Sequence, residues 1–444
     1  MQTFLRKALL KWRGSKRYDY LREYEQLQWQ PLEVIEQYQF DRIKKLFNHA
    51  YDTVSYYRQV FDDLGIHPKD IKNRSDVARL PVLTKDIIRS HRGELVSATF
   101  KPEQLFKLSS GGSTGEPLHF YSHLEAYEKA QALFMLGLKN SGWNENERLI
   151  SIWGNPGDFT QKTGMKERFK KSLSTTLNLN AYQYDRDIIN GWIEQILEKK
   201  NTFIYGYVSV MQNVAEHIIE NNISVTNVKG VMTSAEKLHD WQRSLIQKAF
   251  NCKAFDQYGS REVPGIASEC PAGKMHQFLH SAYVEYLPVP DHPENLCKLV
   301  VTSLVNDAMP FIRYEIGDFA MPGSGQCSCG RGFPLLDMKI GRIADRFLTS
   351  RGKTIYGTFF VRQMYDIEGI KSFQFHQINP QFIRLSLIKN HNFNDAEAQK
   401  ILRIESKIKQ ALDWDDLTID VQYVEQIPKT IGGKHRYIIS DVTG

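Results

Sequence analysis

The sequence predicts an α/β protein: a large N-terminal part built on mixed, mostly parallel sheet, then a small α+β unit. The first observation behind this is an alternation of strand-like and helix-like runs. Glu125 to Leu138 reads as a helix, Glu147 to Trp153 as a strand, and Ile188 to Lys200 as a helix. Phe203-Ile204-Tyr205 reads as a strand turning at Gly206; Val210 to Asn221 is helical, Val228 to Thr233 a strand, and Asp240 to Phe250 a helix. Such alternation implies βαβ units. The second is a change of character past Arg346. Ser372 to His376, Ile383 to Ile388 and Leu417 to Val424 read as strands, with Asp395 to Leu412 one charged helix. The boundary is expected at Asp345–Arg346, giving domains 1–345 and 346–444. A chain of 444 residues suits two or three domains.

Around this frame, Val34 to Leu64 is helical and rich in aromatics, and the region from Cys252 to Asp345 is rich in strands, Lys298 to Leu304 among them. A composition 41% hydrophobic and 24% charged describes a globular protein. No apolar run reaches the roughly 20 residues that span a bilayer, and no secretory leader is evident. Five cysteines in this length do not make a disulfide scaffold, so the cytoplasm is the expected compartment.

Charge is unevenly placed. Residues 1–22 hold seven of the 57 Lys/Arg and one of the 51 Asp/Glu, which accounts for the whole net charge of +6. The rest is balanced, which argues against nucleic acid as a general partner. On a helical wheel over residues 3–17, Phe4, Leu5, Ala8, Leu9 and Trp12 share one side. Arg6, Lys7, Lys11, Arg13 and Arg17 fall mostly on the other, with Leu10 and Lys16 spoiling the division. Such a helix packs its apolar side against its own domain, or lies peripherally on an anionic membrane surface.

Ser109-Ser110-Gly111-Gly112-Ser113-Thr114-Gly115-Glu116 packs three glycines and four hydroxyls into eight residues. Glycine lets a ligand approach the main chain. Successive backbone N–H groups with short hydroxyls make an anion cradle, whose natural guest is a polyphosphate. A flexible linker has the same composition. It is not a Walker loop, because no Lys-Ser or Lys-Thr follows the last glycine. No nucleophile elbow, metalloprotease helix or dinucleotide fingerprint is present.

The cysteines give a separate signal. Cys270 is followed six residues later by His276, and one residue separates Cys327 from Cys329. Three thiolates and one imidazole, offered as two close pairs from loops in 270–330, suit tetrahedral Zn²⁺. Four protein ligands leave no open position, so the metal would be structural. Free thiols beside a surface histidine are the plainer alternative.

The glycine-rich loop, Tyr258-Gly259-Ser260-Arg261-Glu262, Arg313-Tyr314-Glu315-Ile316-Gly317-Asp318, Gly341-Arg342 and Gly432-Gly433-Lys434 occur in that order. Together, and with Leu80-Pro81-Val82-Leu83-Thr84-Lys85, they resemble the adenylate-forming acyl ligases. The resembled branch is that of phenylacetate–coenzyme A ligases, which includes capsular-polysaccharide biosynthesis members, some with a comparable zinc site. The resemblance implies a large ATP- and acid-binding domain under a mobile C-terminal lid. It implies that Ser109, Ser110, Gly111, Gly112, Ser113, Thr114 and Gly115 hold the ATP phosphates. Ser234, Ala235 and Glu236 would line the adenine side, Tyr258 would stack on the base within Tyr258-Gly259-Ser260, and Glu262 would hold Mg²⁺. Asp318 would accept from the ribose hydroxyls, and Arg342 would face ribose and phosphate. Lys434 would enter on the lid and contact the carboxylate and α-phosphate.

The acid pocket is expected near Tyr205 and Tyr207. The family usually carries two consecutive acids after the arginine, and this sequence has Ala344 then Asp345. The implied activity is activation of a small carboxylic acid as an acyl-adenylate, with transfer to coenzyme A. An amine or hydroxyl of a polysaccharide precursor is the alternative acceptor. A non-catalytic, zinc-stabilised scaffold is the reading from another class; Ala344 favours it, and Glu262 and Lys434 oppose it.

Overall fold

The computed structural model describes residues 2–110, 118–154, 175–181, 184–289, 296–342, 346–352, 354–364, 367, 369–412, 414–428 and 435–442. The chain forms two compact units, Met1–Ile316 with Ala320–Met338, and Gly317–Phe319 with Lys339–Gly444. Among the described residues, no helix is long and apolar enough to cross a membrane.

The first unit opens with α1 (Gln2–Trp12), α2 (Arg17–Leu27), α3 (Leu32–Thr53) and α4 (Ser55–Asp63). The single helical pattern expected from Val34 to Leu64 is cut at Val54, whose backbone is extended at φ −119° and ψ 110°. Ile43, Leu46, Phe47 and Ala50 repeat at helical spacing along α3 and are buried. After α5 (Lys85–Ser90), capped by the Thr84 hydroxyl, β1 (Leu105–Ser109) and β2 (His119–His123) pair as an antiparallel hairpin. The glycine-rich segment lies between these two strands in sequence. Helix α6 (Leu124–Asn140) follows.

The main sheet comes next: β3 (Arg148–Trp153), β4 (Thr176–Asn180), β5 (Thr202–Tyr207), β6 (Val228–Ser234), β7 (Lys253–Tyr258), β8 (Ala267–Glu269) and β9 (Met275–Gln277). Their spatial order is β4-β3-β5-β6-β7-β8-β9. The first five are parallel, and β7, β8 and β9 run antiparallel in turn. Helices α7 (Arg186–Leu197), α8 (Val208–Glu220) and α9 (Asp240–Phe250) supply the crossovers that parallel strands need. Ile150, Ile152, Ile204, Val231 and Ala254 of the strands share one core with Trp192, Val214 and Ile246 of the helices. Gly206 is not the turn expected there; β5 runs through it. A Cβ at Gly206 would lie 2.9 Å from Met211 Sδ and 3.2 Å from the Ile152 carbonyl, so close packing is what requires glycine.

A second sheet, ordered β10-β11-β12-β13, comprises β10 (Ala282–Pro288), β11 (Cys297–Ser303), β12 (Tyr314–Pro322) and β13 (Leu336–Arg342). Arg313 joins it to the chain's early part. Its Nε donates to both Glu285 oxygens at 3.1 Å, and its Nη1 to the carbonyls of Ala78, at 2.9 Å, and Leu80. Leu83 N–H donates to the Arg313 carbonyl at 2.9 Å, and Glu315 N–H to that of Leu83 at 3.0 Å. Both members of the ion pair are buried, so losing either would strand the other's charge. Leu80–Lys85 is thereby stitched to the start of β12.

The second unit has β14 (Arg346–Leu348), β15 (Thr354–Tyr356), α10 (Gly357–Arg362), β16 (Ile370–Asn379), β17 (Phe382–Lys389), α11 (Asp395–Leu402), α12 (Ile404–Leu412), β18 (Thr418–Tyr423) and β19 (Ile438–Ser440). Its sheet is ordered β18-β17-β16-β19, around a core that includes Phe360, Phe375, Leu385, Ile408 and Trp414. The single helix expected from Asp395 to Leu412 is two, divided at Arg403.

Candidate functional site

Strands in parallel register bring their C-terminal ends to one edge, where open α/β sheets place ligands. Tyr205 lies opposite Met232, Tyr207 opposite Ser234, and Ser234 opposite Gln257, one residue before Tyr258. The hairpin joins this edge through Arg261, whose Nη1 donates to the Ser109 carbonyl at 3.1 Å. Ser110 N–H donates to the Leu118 carbonyl and Leu118 N–H to Ser110 Oγ, both at 2.9 Å. Those bonds carry the β1–β2 pairing one step further, to Ser110 and Leu118. Gly111, Gly112, Ser113, Thr114 and Gly115 lie outside the described residues.

Ser234 is buried at the end of β6 and donates to the Gln257 carbonyl at 2.8 Å. Ala235 then takes φ +71°, a left-handed conformation uncommon for alanine that reverses the chain. The Glu236 carboxylate accepts from Ser209 N–H at 2.6 Å and Ser209 Oγ at 3.0 Å, so it caps the N-terminus of α8. At the head of α9, His239 is buried; desolvation first, then the Lys237 charge, pushes its ring down to about 3.

Tyr258 ends β7, and a tight turn follows. Ser260 N–H donates to the Val263 carbonyl at 2.9 Å, and a Cβ on Gly259 would sit 2.8 Å from Gly265 N. Glu262, in this turn, is 7% exposed. Its carboxylate oxygens are the kind of ligand a hard divalent cation takes. Beneath the turn, Asp256 is raised to about 7 by burial and by nearby Glu269. Glu269 in turn holds Arg243 through two bonds of 2.9 and 2.8 Å.

The two tyrosines belong to an aromatic group the sequence left incomplete. Trp153 stacks on Tyr205 with centroids 4.8 Å apart and meets Tyr207 at 4.0 Å, while Phe134 packs on Tyr205 at 4.8 Å. Tyr207 donates to the Gly154 carbonyl at 3.2 Å. Burial raises the Tyr205 phenol despite a hydrogen bond with Ser234, so it stays protonated. Trp153 was findable as the last residue of a predicted strand, and Arg261 as a member of the Tyr258–Glu262 motif.

Asp318 is buried in β12, just after Gly317, whose φ of +93° interrupts the strand's alternation. Arg342 ends β13, the neighbouring strand. Ala344, Asp345 and Lys434 lie outside the described residues.

A separate cluster forms where β8 and β9 meet the loop between β12 and β13. The ligand atoms of Cys270, His276, Cys327 and Cys329 all lie within 4.8 Å of one another. Cys270 Sγ is 3.6 Å from Cys327 Sγ, and Cys329 Sγ is 3.3 Å from His276 Nε2. Zn–S bonds of about 2.3 Å at tetrahedral angles put two sulfurs about 3.8 Å apart and a sulfur and nitrogen about 3.5 Å apart. The donor set fits zinc. His276 Nδ1 lies 3.0 Å from the Phe333 carbonyl, which fixes the tautomer and leaves Nε2 free to ligate. Burial lowers the His276 pKa and so favours the neutral ring a metal needs. Burial also pushes the Cys327 thiol up to about 11, whereas hydrogen bonds from Arg331 bring Cys329 below its ordinary value against the effect of its burial.

Residues 347–441 match the family described as the CapK C-terminal domain. Protein CapK of Staphylococcus aureus is 27% identical over 417 residues, covering 91% of this chain and 89% of that protein. The phenylacetate–coenzyme A ligase of Pseudomonas putida is 25% identical over 395 residues, covering 84% and 83%. A crystal structure of 2-hydroxyisobutyryl-CoA ligase in the postadenylation state superposes with a TM-score of 0.74 at 18% identity, over 94% of this chain and 92% of that one. That last likeness establishes the fold. The chain is thus a relative of CapK and of the phenylacetate–coenzyme A ligases, matches the CapK C-terminal domain over residues 347–441, and shares the fold of 2-hydroxyisobutyryl-CoA ligase.

Proposed function

We propose that this chain is an ATP-dependent ligase that activates a small carboxylic acid as an acyl-adenylate and passes the acyl group to coenzyme A. The observation that carries this is the convergence of the hairpin base, the Ser234–Glu236 turn and the Tyr258–Glu262 turn on one edge of the parallel sheet. The phenylacetate–coenzyme A ligases among its relatives support the same reading.

In the first step a carboxylate oxygen attacks the α-phosphorus of ATP, forming an acyl–phosphate bond as the bond to pyrophosphate breaks. In the second the thiol sulfur attacks the acyl carbon and AMP leaves. Residues 109–115 cradle the phosphates through backbone N–H groups and hydroxyls. Tyr258 offers its ring to adenine, beside Ser234 and Ala235. The Glu236 side chain, engaged with α8, shapes the turn. Glu262 holds Mg²⁺, which neutralises phosphate charge when bound. Asp318 takes the ribose hydroxyls and Arg342 faces ribose and phosphate. The acid lies against Tyr205 and Tyr207, backed by Trp153 and Phe134. Residues 346–444 act as the lid carrying Lys434, and Cys270, His276, Cys327 and Cys329 hold a structural zinc.

The test is a panel of carboxylic acids scored for pyrophosphate release from ATP, with and without coenzyme A. One acid should release pyrophosphate, and coenzyme A should convert its adenylate to a thioester. Release with no acid in the panel would remove the ligase reading; an adenylate that discharges only to an amine or hydroxyl would replace coenzyme A as acceptor.

A further inference from the structure

Helix α1 engages cations against its domain and leaves part of its apolar side in water. Its cations near the start face inward: Arg6 donates to Thr175 Oγ1 and to the Tyr18 hydroxyl, each at 3.2 Å. Lys7 pairs with Glu145 at 2.9 Å and lies 4.8 Å from the centre of the Tyr18 ring. Further along, Leu9 and Leu10 are half-buried, while the residues around them turn outward. Ala8 is exposed, and Trp12, one turn on, is 83% exposed, the most of any large apolar side chain described. Lys11, Arg13 and Lys16 flank it and are exposed as well. Leaving an indole in water while two cations are engaged below it is the reverse of what the hydrophobic effect favours.

We infer that the outward face of α1, with Trp12 at its centre, docks on an anionic lipid surface. Two features select lipid. Indole is suited to the interface between headgroup and acyl chain, with an apolar body and one N–H donor. The positive charge is concentrated here, since residues 1–22 carry the chain's entire net +6 and the remainder has none to spare for a polyanion. Each exposed cation favours an anionic membrane surface by on the order of fivefold, an effect that salt screens. Anchoring is therefore weak and reversible, through the rim of the helix and not through insertion of a span. This inference is independent of the ligase reading, because none of these residues belongs to the sheet edge.

The experiment is co-sedimentation of the full-length protein with phosphatidylcholine vesicles, with and without phosphatidylglycerol. Binding should require phosphatidylglycerol and weaken with added salt. The exposed double variant K11E/R13E should bind at least about tenfold less tightly. Trp12→Ala should also bind less tightly, with Trp12→Phe partly restoring it, and the tryptophan emission of the wild type should shift to the blue on binding while that of Trp12→Phe does not. Unchanged melting temperatures would show that the variants fold. Equal binding to both vesicle types, no binding, or binding indifferent to these substitutions would overturn the inference, as would preferential capture of single-stranded nucleic acid by the same face.

Discussion

The proposed metal knuckle and the proposed nucleotide edge are built from adjacent strands, yet they differ in one physical respect. In the knuckle, all four donor atoms converge on one another and the histidine's second nitrogen already faces a carbonyl. Nothing is left for a substrate. At the nucleotide edge Ser234 and Glu236 hold the turns in shape, and among the described residues no such cluster of donor atoms forms there. A structural site is complete in itself; a reaction site is complete only with its ligand. Damage to the first should appear as lost stability, and damage to the second as lost rate.

The largest effect is expected at the knuckle. Cys327→Ser, or chelation of the wild type, should remove about one zinc per chain. It should destabilise the first unit by about 4–5 kcal/mol, the range reached when a metal ligand is lost. For a unit of this size that amounts to about 6 °C in melting temperature. Turnover at low temperature by molecules still folded should change little. Metal-free protein that melts where the wild type does would end the distinction.

Next comes Lys434→Ala, on the reaction side. Removing one donor that stabilises developing charge slows a step by about 10²-fold or more, or about 2.7 kcal/mol. Acyl-adenylate formation should fall by that factor with no change in melting temperature, whereas thioester formation from supplied adenylate should survive. Equal damage to both half-reactions would make Lys434 a general structural residue.

The smallest effect sharpens the comparison by pH. The folded pKa of His239 is about 3 against an ordinary 6.5, so the unfolded chain binds the extra proton between those values. The stability associated with the neutral ring is present above pH 6.5 and is lost as pH falls from 6.5 toward 3. At pH 5 the loss is about 2 kcal/mol. His239→Gln should therefore show a smaller drop in melting temperature between pH 7 and pH 5. An identical drop in variant and wild type would locate the acid sensitivity elsewhere.

Most elements of both units were legible because their signals are local. The αβ alternation from Glu125 to Phe250 follows from periodicity, and each element expected there lies within three residues of its place, while β4 (Thr176–Asn180) went unread. The breaks were not legible either. Val54 and Arg403 interrupt helices whose apolar spacing runs through them, and Gly206 lies within a strand because Met211 packs where its side chain would be. Arg261 and Arg313 show the same limit in the site, since each acts through a carbonyl far away in sequence.

By itself the sequence determined the α/β class, the motifs and their order, the zinc-type donor set, and the charge of residues 1–22. Composition, period and residue chemistry are properties of short stretches and survive without coordinates. Only the tertiary structure decided which strand ends meet Ser109, that Glu236 caps a helix, that Trp153 completes the aromatic group, and which face of α1 looks outward. Each of these depends on contacts between segments tens to hundreds of residues apart, where register and burial, not local propensity, set which side chains meet.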